Sequence, residues 1–173
     1  MQSYRKGLES RSAYGEFVSL TRKPIFRSST IFPIIESSYI ANEKGNLVIN
    51  LDQVKKNILS KSFNVIDARS LERFEGKISE PRKGLRSGHI QNSICLPFSL
   101  CINQKTGEFK NLEELRELFN QHENIKKRLD PVFTCGSGVT AAVLAYAYKM
   151  VNNDYIPKIY DGSWSEYGKY PAW

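Results

Sequence analysis

The chain is poor in the residues that staple or metallate small folds. Its 173 residues hold three cysteines (Cys95, Cys101, Cys135) and two histidines (His89, His122), with no C-x-x-C pair. An odd number of thiols makes no closed disulfide set, and ligands at zinc spacing are lacking, so a zinc site is not expected. The longest apolar run, Ala141 to Tyr148, is eight residues, far short of the roughly 20 that cross a bilayer. A basic, aromatic-studded face is missing too. The net charge is +7, but Arg5, Lys6, Arg11, Arg22, Lys23 and Arg27 against Glu9 and Glu16 put 6 − 2 = +4 of it in the first 30 residues. A nucleic-acid binder gathers that charge on a folded surface. Neither nucleic acid nor membrane is therefore an expected partner. With unpaired thiols and no visible secretory leader, the expected compartment is reducing and cytoplasmic. Arginines and serines near the N-terminus raise a mitochondrial destination as the alternative, opposed by Glu9 and Glu16.

What is present is a globular composition, 40% hydrophobic and 25% charged, in a length that fits one domain with an appended segment. Residues 1–38, with Pro24, Pro33 and many serines, read as an extension or linker with little structure of its own. The folded domain is expected over residues 39–173. Asn50 with Gln53 and Asn111 with Glu114 are capping-box pairs. They open helices whose apolar positions are Leu51, Val54 and Ile58 in the first, and Leu112, Leu115 and Phe119 in the second. Pro131 is expected to stop the second helix. Short β-prone runs stand at 63–67, 93–96, 132–134 and 158–160, and 69–88 reads as a long loop with three glycines and one proline. Helices alternating with such strands predict an α/β fold with a largely parallel sheet.

The segment that carries chemistry is Val132-Phe-Thr-Cys-Gly-Ser-Gly-Val-Thr-Ala141. A cysteine ends a strand, two glycines allow a sharp turn, and a helix follows at once. Open α/β sheets bind ligands at the carboxyl ends of their strands. Convergent loop amides and a helix N-terminus favour an anion there, so Cys135 is expected to act as a thiolate nucleophile. Cys95 and Cys101 lack that context and are expected to pack. A phosphatase loop would close with an arginine, but Ala141 stands six residues after Cys135 and no Arg or Lys follows before Lys149. A Cys–His pair would need His89 or His122. His122 falls in the second helix, and His89 sits in a turn where a backbone-bonded role is expected.

These segments resemble the rhodanese superfamily, and most closely the C-terminal, catalytic half of the tandem-domain thiosulfate and 3-mercaptopyruvate sulfurtransferases. The matching stretches are 65–70, Arg73-Phe74, Glu80-Pro-Arg82, 87–90, 96–98, Cys135-Gly-Ser-Gly-Val-Thr140 and 160–166, in the family's order. The resemblance implies a three-layer fold, a mainly parallel sheet flanked by helices. It implies transfer of sulfane sulfur from 3-mercaptopyruvate or thiosulfate to a thiol or cyanide acceptor, through a persulfide on Cys135 and with no metal or organic cofactor. It places Gly136, Ser137, Gly138, Val139 and Thr140 in the active-site loop. Arg73 and Arg82 fall on the family's two substrate arginines, and Ser137 on a substrate hydrogen-bonding position. Asp67 and Arg69 are expected to brace the loop. Gly136 and Ser137 are neutral where thiosulfate-preferring members are basic, which favours a carboxylate donor read by a planar arginine fork.

The family's full-length enzymes add an N-terminal, non-catalytic domain that walls the pocket, and 173 residues leave no room for it. Residues 1–30 then read as a remnant of that domain's last helix and linker, as in a truncated or split gene. The partners implied are a small-molecule sulfur donor, a reduced thiol protein or small thiol as acceptor, and a separately supplied N-terminal rhodanese domain. The second reading is a sulfur-carrier or partner-binding module with little turnover.

Overall fold

The computed structural model describes residues 9–11, 17–19, 47–122 and 129–171. Residues 39–46, where the domain is expected to begin, lie outside them. Within the segment read as an extension, β1 (Glu9–Arg11) and β2 (Phe17–Ser19) pair antiparallel, Glu9 opposite Ser19 and Arg11 opposite Phe17. Strands of three residues are too short to carry a period-two signal, and the rest of that segment lies outside the described residues.

The main sheet has five strands, all parallel: β3 (Val48–Ile49), β4 (Asn64–Asp67), β5 (Ile94–Cys95), β6 (Pro131–Thr134) and β7 (Ile159–Tyr160). Their order is β3-β7-β6-β4-β5, with Val65 opposite Val132, Ile66 opposite Phe133 and Asp67 opposite Thr134. β4 and β6 sit centrally, covered on both faces, and every residue of β6 is buried. That is why both strands read as continuous apolar runs rather than alternating ones. Val65 and Val132 face a layer with Val54, Ile90, Tyr160, Trp164 and Tyr167. Ile66 and Phe133 face the opposite layer with Leu115, Phe119, Leu144 and Tyr148.

The helices supplying those layers are α1 (Leu51–Ser60), α2 (Leu71–Phe74), α3 (Leu112–Gln121), α4 (Val139–Val151) and α5 (Ser163–Tyr167), with a 3₁₀ turn at Phe98–Cys101. Both predicted capping boxes form: Asn50 with Gln53 opens α1, and Asn111 with Glu114 opens α3. Each satisfies two amides that the helix itself cannot. In α4, Ala141, Leu144, Ala145 and Tyr148 make the buried stripe at helical spacing.

Three expectations change. The 69–88 loop contains α2, a single turn too short to show periodicity. Pro131 does not stop α3, whose described part ends at Gln121. It opens β6 as that strand's first residue, a position where a missing amide is tolerated. His122 therefore caps α3, its Nδ1 donating to the Leu118 carbonyl at 2.9 Å.

Candidate active site

Parallel strands end on one edge. Asp67, Thr134 and Tyr160 close β4, β6 and β7 there, so Ala68, Cys135 and Asp161 leave the sheet side by side, with Arg69 next along the chain. This is the edge where such sheets hold their ligands. Cys135 follows Thr134 directly, and Gly136-Ser137-Gly138 turns the chain into α4.

The loop is held from below by α5. The Trp164 amide donates to the Cys135 carbonyl at 2.9 Å, and the Ser165 amide to the Gly136 carbonyl at 2.9 Å. Ser163 Oγ accepts from the Cys135 amide and from Thr134 Oγ1, each at 3.2 Å, and donates to the Tyr160 carbonyl at 2.9 Å. The hydroxyl of Ser163 is thereby used in full. Gly138 has φ 86°, and a Cβ there would lie 2.6 Å from Asp161 Oδ1. Gly138→Ala is expected to lower stability by about 1–3 kcal/mol through a left-handed residue and that clash. Urea unfolding beside the parent protein checks it.

The sequence predicts several amides converging on the sulfur. The structure aims one at it: the Ser137 amide, 3.4 Å from Cys135 Sγ. The amide of Cys135 itself is taken by Ser163, as given above. Cys135 is 2% exposed and packs at the margin of the larger core layer. The first-turn amides of α4, from Val139 onward, have no acceptor inside the helix. Thr140 stands in that turn, and Val139 is half exposed.

The other two cysteines behave as expected. Cys101 is fully buried and Cys95 partly so, its Sγ 3.7 Å from the Arg69 carbonyl. Burial pushes both thiols up to about 12. Neither is a nucleophile near neutrality.

Both sequence-matched arginines reach the loop. Arg73 Nη2 and Nη1 lie 3.0 and 3.6 Å from the point a Cβ on Gly136 would occupy. Arg82, largely exposed, donates from Nη1 to the Gly136 carbonyl at a long 3.4 Å. Behind them runs a chain of buried charges. Arg69, with its side chain 0% exposed, meets Asp67 through Nε and Nη2, the latter at 2.7 Å, and meets Glu80 through Nη1 at 2.8 Å. Its guanidinium also lies 4.5 Å over the Trp164 ring. Arg73 meets the same Glu80 carboxylate at 2.6 Å. The expected bracing by Asp67 and Arg69 is thus present.

His89 is placed as expected, Nδ1 donating to the Phe74 carbonyl at 2.8 Å with its ring stacked on Phe74 at 4.0 Å. It secures the end of α2, which carries Arg73. Reading the sequence missed the roles of Glu80, Ser163 and Trp164. Their only signal lay in two quoted stretches, Glu80-Pro-Arg82 and 160–166.

With this geometry in view, comparison with known proteins is specific. The rhodanese-like domain matches residues 50–170. The mitochondrial thiosulfate/3-mercaptopyruvate sulfurtransferase 1 of Arabidopsis thaliana is 40% identical over 147 residues, 85% of this chain and 37% of that protein. The 3-mercaptopyruvate sulfurtransferase of Homo sapiens is 40% identical over 117 residues, 67% of this chain and 38% of that one. Among solved structures, the 3-mercaptopyruvate sulfotransferase SseA from Escherichia coli superposes with a TM-score of 0.58 at 31% identity. The match covers 73% of this chain and 45% of SseA. The chain spans about two-fifths of the length of the curated relatives it matches. A central parallel sheet between two helical layers, a strand-tip cysteine loop and these matches agree: the chain belongs to the rhodanese family.

Proposed function

We propose that the chain is a sulfurtransferase that moves sulfane sulfur from 3-mercaptopyruvate, with thiosulfate the second donor, to a thiol or cyanide acceptor. The Cys135 thiolate attacks the donor sulfur. The carbon–sulfur bond breaks, its electron pair stays on the carbon, and the resulting enolate takes a proton to become pyruvate. Cys135 is left as a persulfide. An acceptor thiolate or cyanide then attacks the outer sulfur and returns the Cys135 thiolate. The Ser137 amide and the first-turn amides of α4 would stabilise anionic sulfur in both steps. Arg73 and Arg82 hold the donor carboxylate, and Ser137 Oγ binds its carbonyl or enolate oxygen. Since Cys135 is almost enclosed, the donor enters by displacing the exposed Arg82 arm, whose bond to the Gly136 carbonyl is a long 3.4 Å.

The observation that carries this reading is the placement of two guanidiniums, from Arg73 and Arg82, against Gly136 of the cysteine loop. Side-by-side turnover with the two donors tests it. Pyruvate and transferred sulfur in equal amounts are expected from 3-mercaptopyruvate, and product from neither donor refutes the reading. Arg82→Lys keeps the charge but loses the planar fork, so kcat/KM for 3-mercaptopyruvate is expected to fall about tenfold or more. Wild-type turnover in that variant would remove the case for bidentate binding at Arg82.

A second reading, a sulfur-carrying module with little turnover of its own, is favoured by one observation. Leu71, Ile78 and Val139 are each about half exposed in the segments that carry the arginines and the loop. We propose a separate N-terminal rhodanese domain as the partner that covers them. Adding such a domain restores turnover if the enzyme is split, and changes nothing if the chain only carries sulfur. The three free cysteines support a reducing compartment, cytoplasmic or mitochondrial. Among the described residues no helix is long and apolar enough to cross a membrane.

A further inference from the structure

We infer that Glu80 is a positioning residue that sets donor choice by fixing which edge of Arg73 faces the cysteine loop. The inference rests on the carboxylate-donor reading above. Glu80 is 1% exposed at its side chain. Its Oε1 accepts from Arg69 Nη1 at 2.8 Å and from Arg73 Nε at 3.2 Å, and its Oε2 accepts from Arg73 Nη2 at 2.6 Å.

Arg69 cannot turn to follow. Nε and Nη2 are spent on Asp67, Nη2 also donates to the Gly88 carbonyl at 2.8 Å, and the plane is stacked on Trp164. Glu80 is therefore anchored from behind by an immobile cation. In front it grips Arg73 by the lateral edge, Nε with Nη2.

A guanidinium offers two edges to a planar anion, the lateral one and the end formed by Nη1 with Nη2. With the lateral edge on Glu80, only the end is left. It is the end that stands at Gly136, at the 3.0 and 3.6 Å given above, and no acceptor among the described residues takes Nη1 of Arg73. The Asp67–Arg69–Glu80–Arg73 chain alternates in sign, so it leaves Arg73 oriented and nearly neutralised at its back. A carboxylate is planar and matches a fixed fork. A tetrahedral thiosulfate is attracted mainly by charge, which survives if Arg73 rotates.

The test uses the full chain and pyruvate, a carboxylate that cannot donate sulfur. Calorimetric titration gives its dissociation constant for wild type, Glu80→Gln and Glu80→Asp, with thermal unfolding recorded for each. Glu80→Gln keeps the shape but loses the charge and turns an amide NH₂ toward an arginine. The dissociation constant is expected to rise about tenfold or more. Glu80→Asp, which keeps the counter-charge of Arg69 and serves if the glutamine variant does not fold, is expected to lie between. In turnover, KM for 3-mercaptopyruvate rises in the variants while kcat/KM for thiosulfate falls less than about threefold. Unchanged pyruvate binding in a folded Glu80 variant overturns the inference. So does an equal loss with both donors, or a wild type that does not bind pyruvate. A wild type that binds pyruvate but takes sulfur from neither donor refutes the transfer reading and leaves the role of Glu80 standing.

Discussion

Arg69→Leu is expected to destabilise the domain by about 3–5 kcal/mol, the cost of leaving a buried ion-pair partner uncompensated. Three donor nitrogens on one planar group make five contacts, to Asp67, Glu80 and the Gly88 carbonyl. Without them Glu80 keeps Arg73, but Asp67 retains only the backbone amide of residue 69, at 3.0 Å. Leucine refills part of the volume and none of the charge. The stacked guanidinium over Trp164 is also lost, worth about 0.5–2 kcal/mol in such contacts. Trp164 is the residue whose amide holds the Cys135 carbonyl, so the damage reaches the loop. Urea unfolding of Arg69→Leu and of Asp67→Leu/Arg69→Leu separates the contributions. The double variant is expected to be the less damaged of the two, because it removes the stranded carboxylate along with its partner. A single variant within about 1 kcal/mol of wild type would show that the buried charges contribute little.

Cys135→Ser is expected to remove turnover by at least about a thousandfold, since a serine hydroxyl beside an amide lacks both the acidity and the softness of a thiolate. Neither remaining cysteine can take over. Burial holds the Cys95 and Cys101 thiols at about 12, protonated at any working pH. Cys95→Ala is accordingly expected to retain wild-type turnover. Sulfur transfer surviving in Cys135→Ser would move the chemistry to another residue.

Local signals in the sequence carried the scaffold well. Asn50–Gln53 and Asn111–Glu114 were readable because a capping box is complete within four residues. β4, β6 and α4 were readable because strands buried on both faces and a helix with a wide buried stripe leave long apolar runs. α2 and α5 were not, since four and five residues hold too little periodicity to register. α5 moreover starts at Ser163 with φ 51°, a conformation that propensity does not forecast for serine. The site divides the same way. Cys135 was legible from strand, cysteine, glycine and helix in succession. Arg73 and Arg82 came only through the motifs that resemble the family, because nothing local brings residues 53 or more positions upstream to a loop. Glu80 and Ser163 act through contacts across 11 and 28 residues, and such roles exist only once the sheet has closed.

The arrangement of amides also differs from the expectation in an instructive way. Strand, Gly-x-Gly and helix suggested a full ring of donors around the sulfur. In the structure Ser163 spends the Cys135 amide on holding the loop, and one amide faces the thiol directly. The remaining positive potential comes from the first turn of α4 and from Arg73 and Arg82. The loop thus depends on α5 for its shape and on the 69–88 segment for its charge.

Every step proposed for this site requires Cys135 to take up a sulfur atom. Mass spectrometry of the full chain after brief treatment with 3-mercaptopyruvate, followed by digestion, tests it most directly. An increment of one sulfur is expected on the Cys135 peptide, removed by a thiol or cyanide and absent in Cys135→Ser. No increment with either 3-mercaptopyruvate or thiosulfate, or an increment on Cys95 or Cys101 instead, would contradict it.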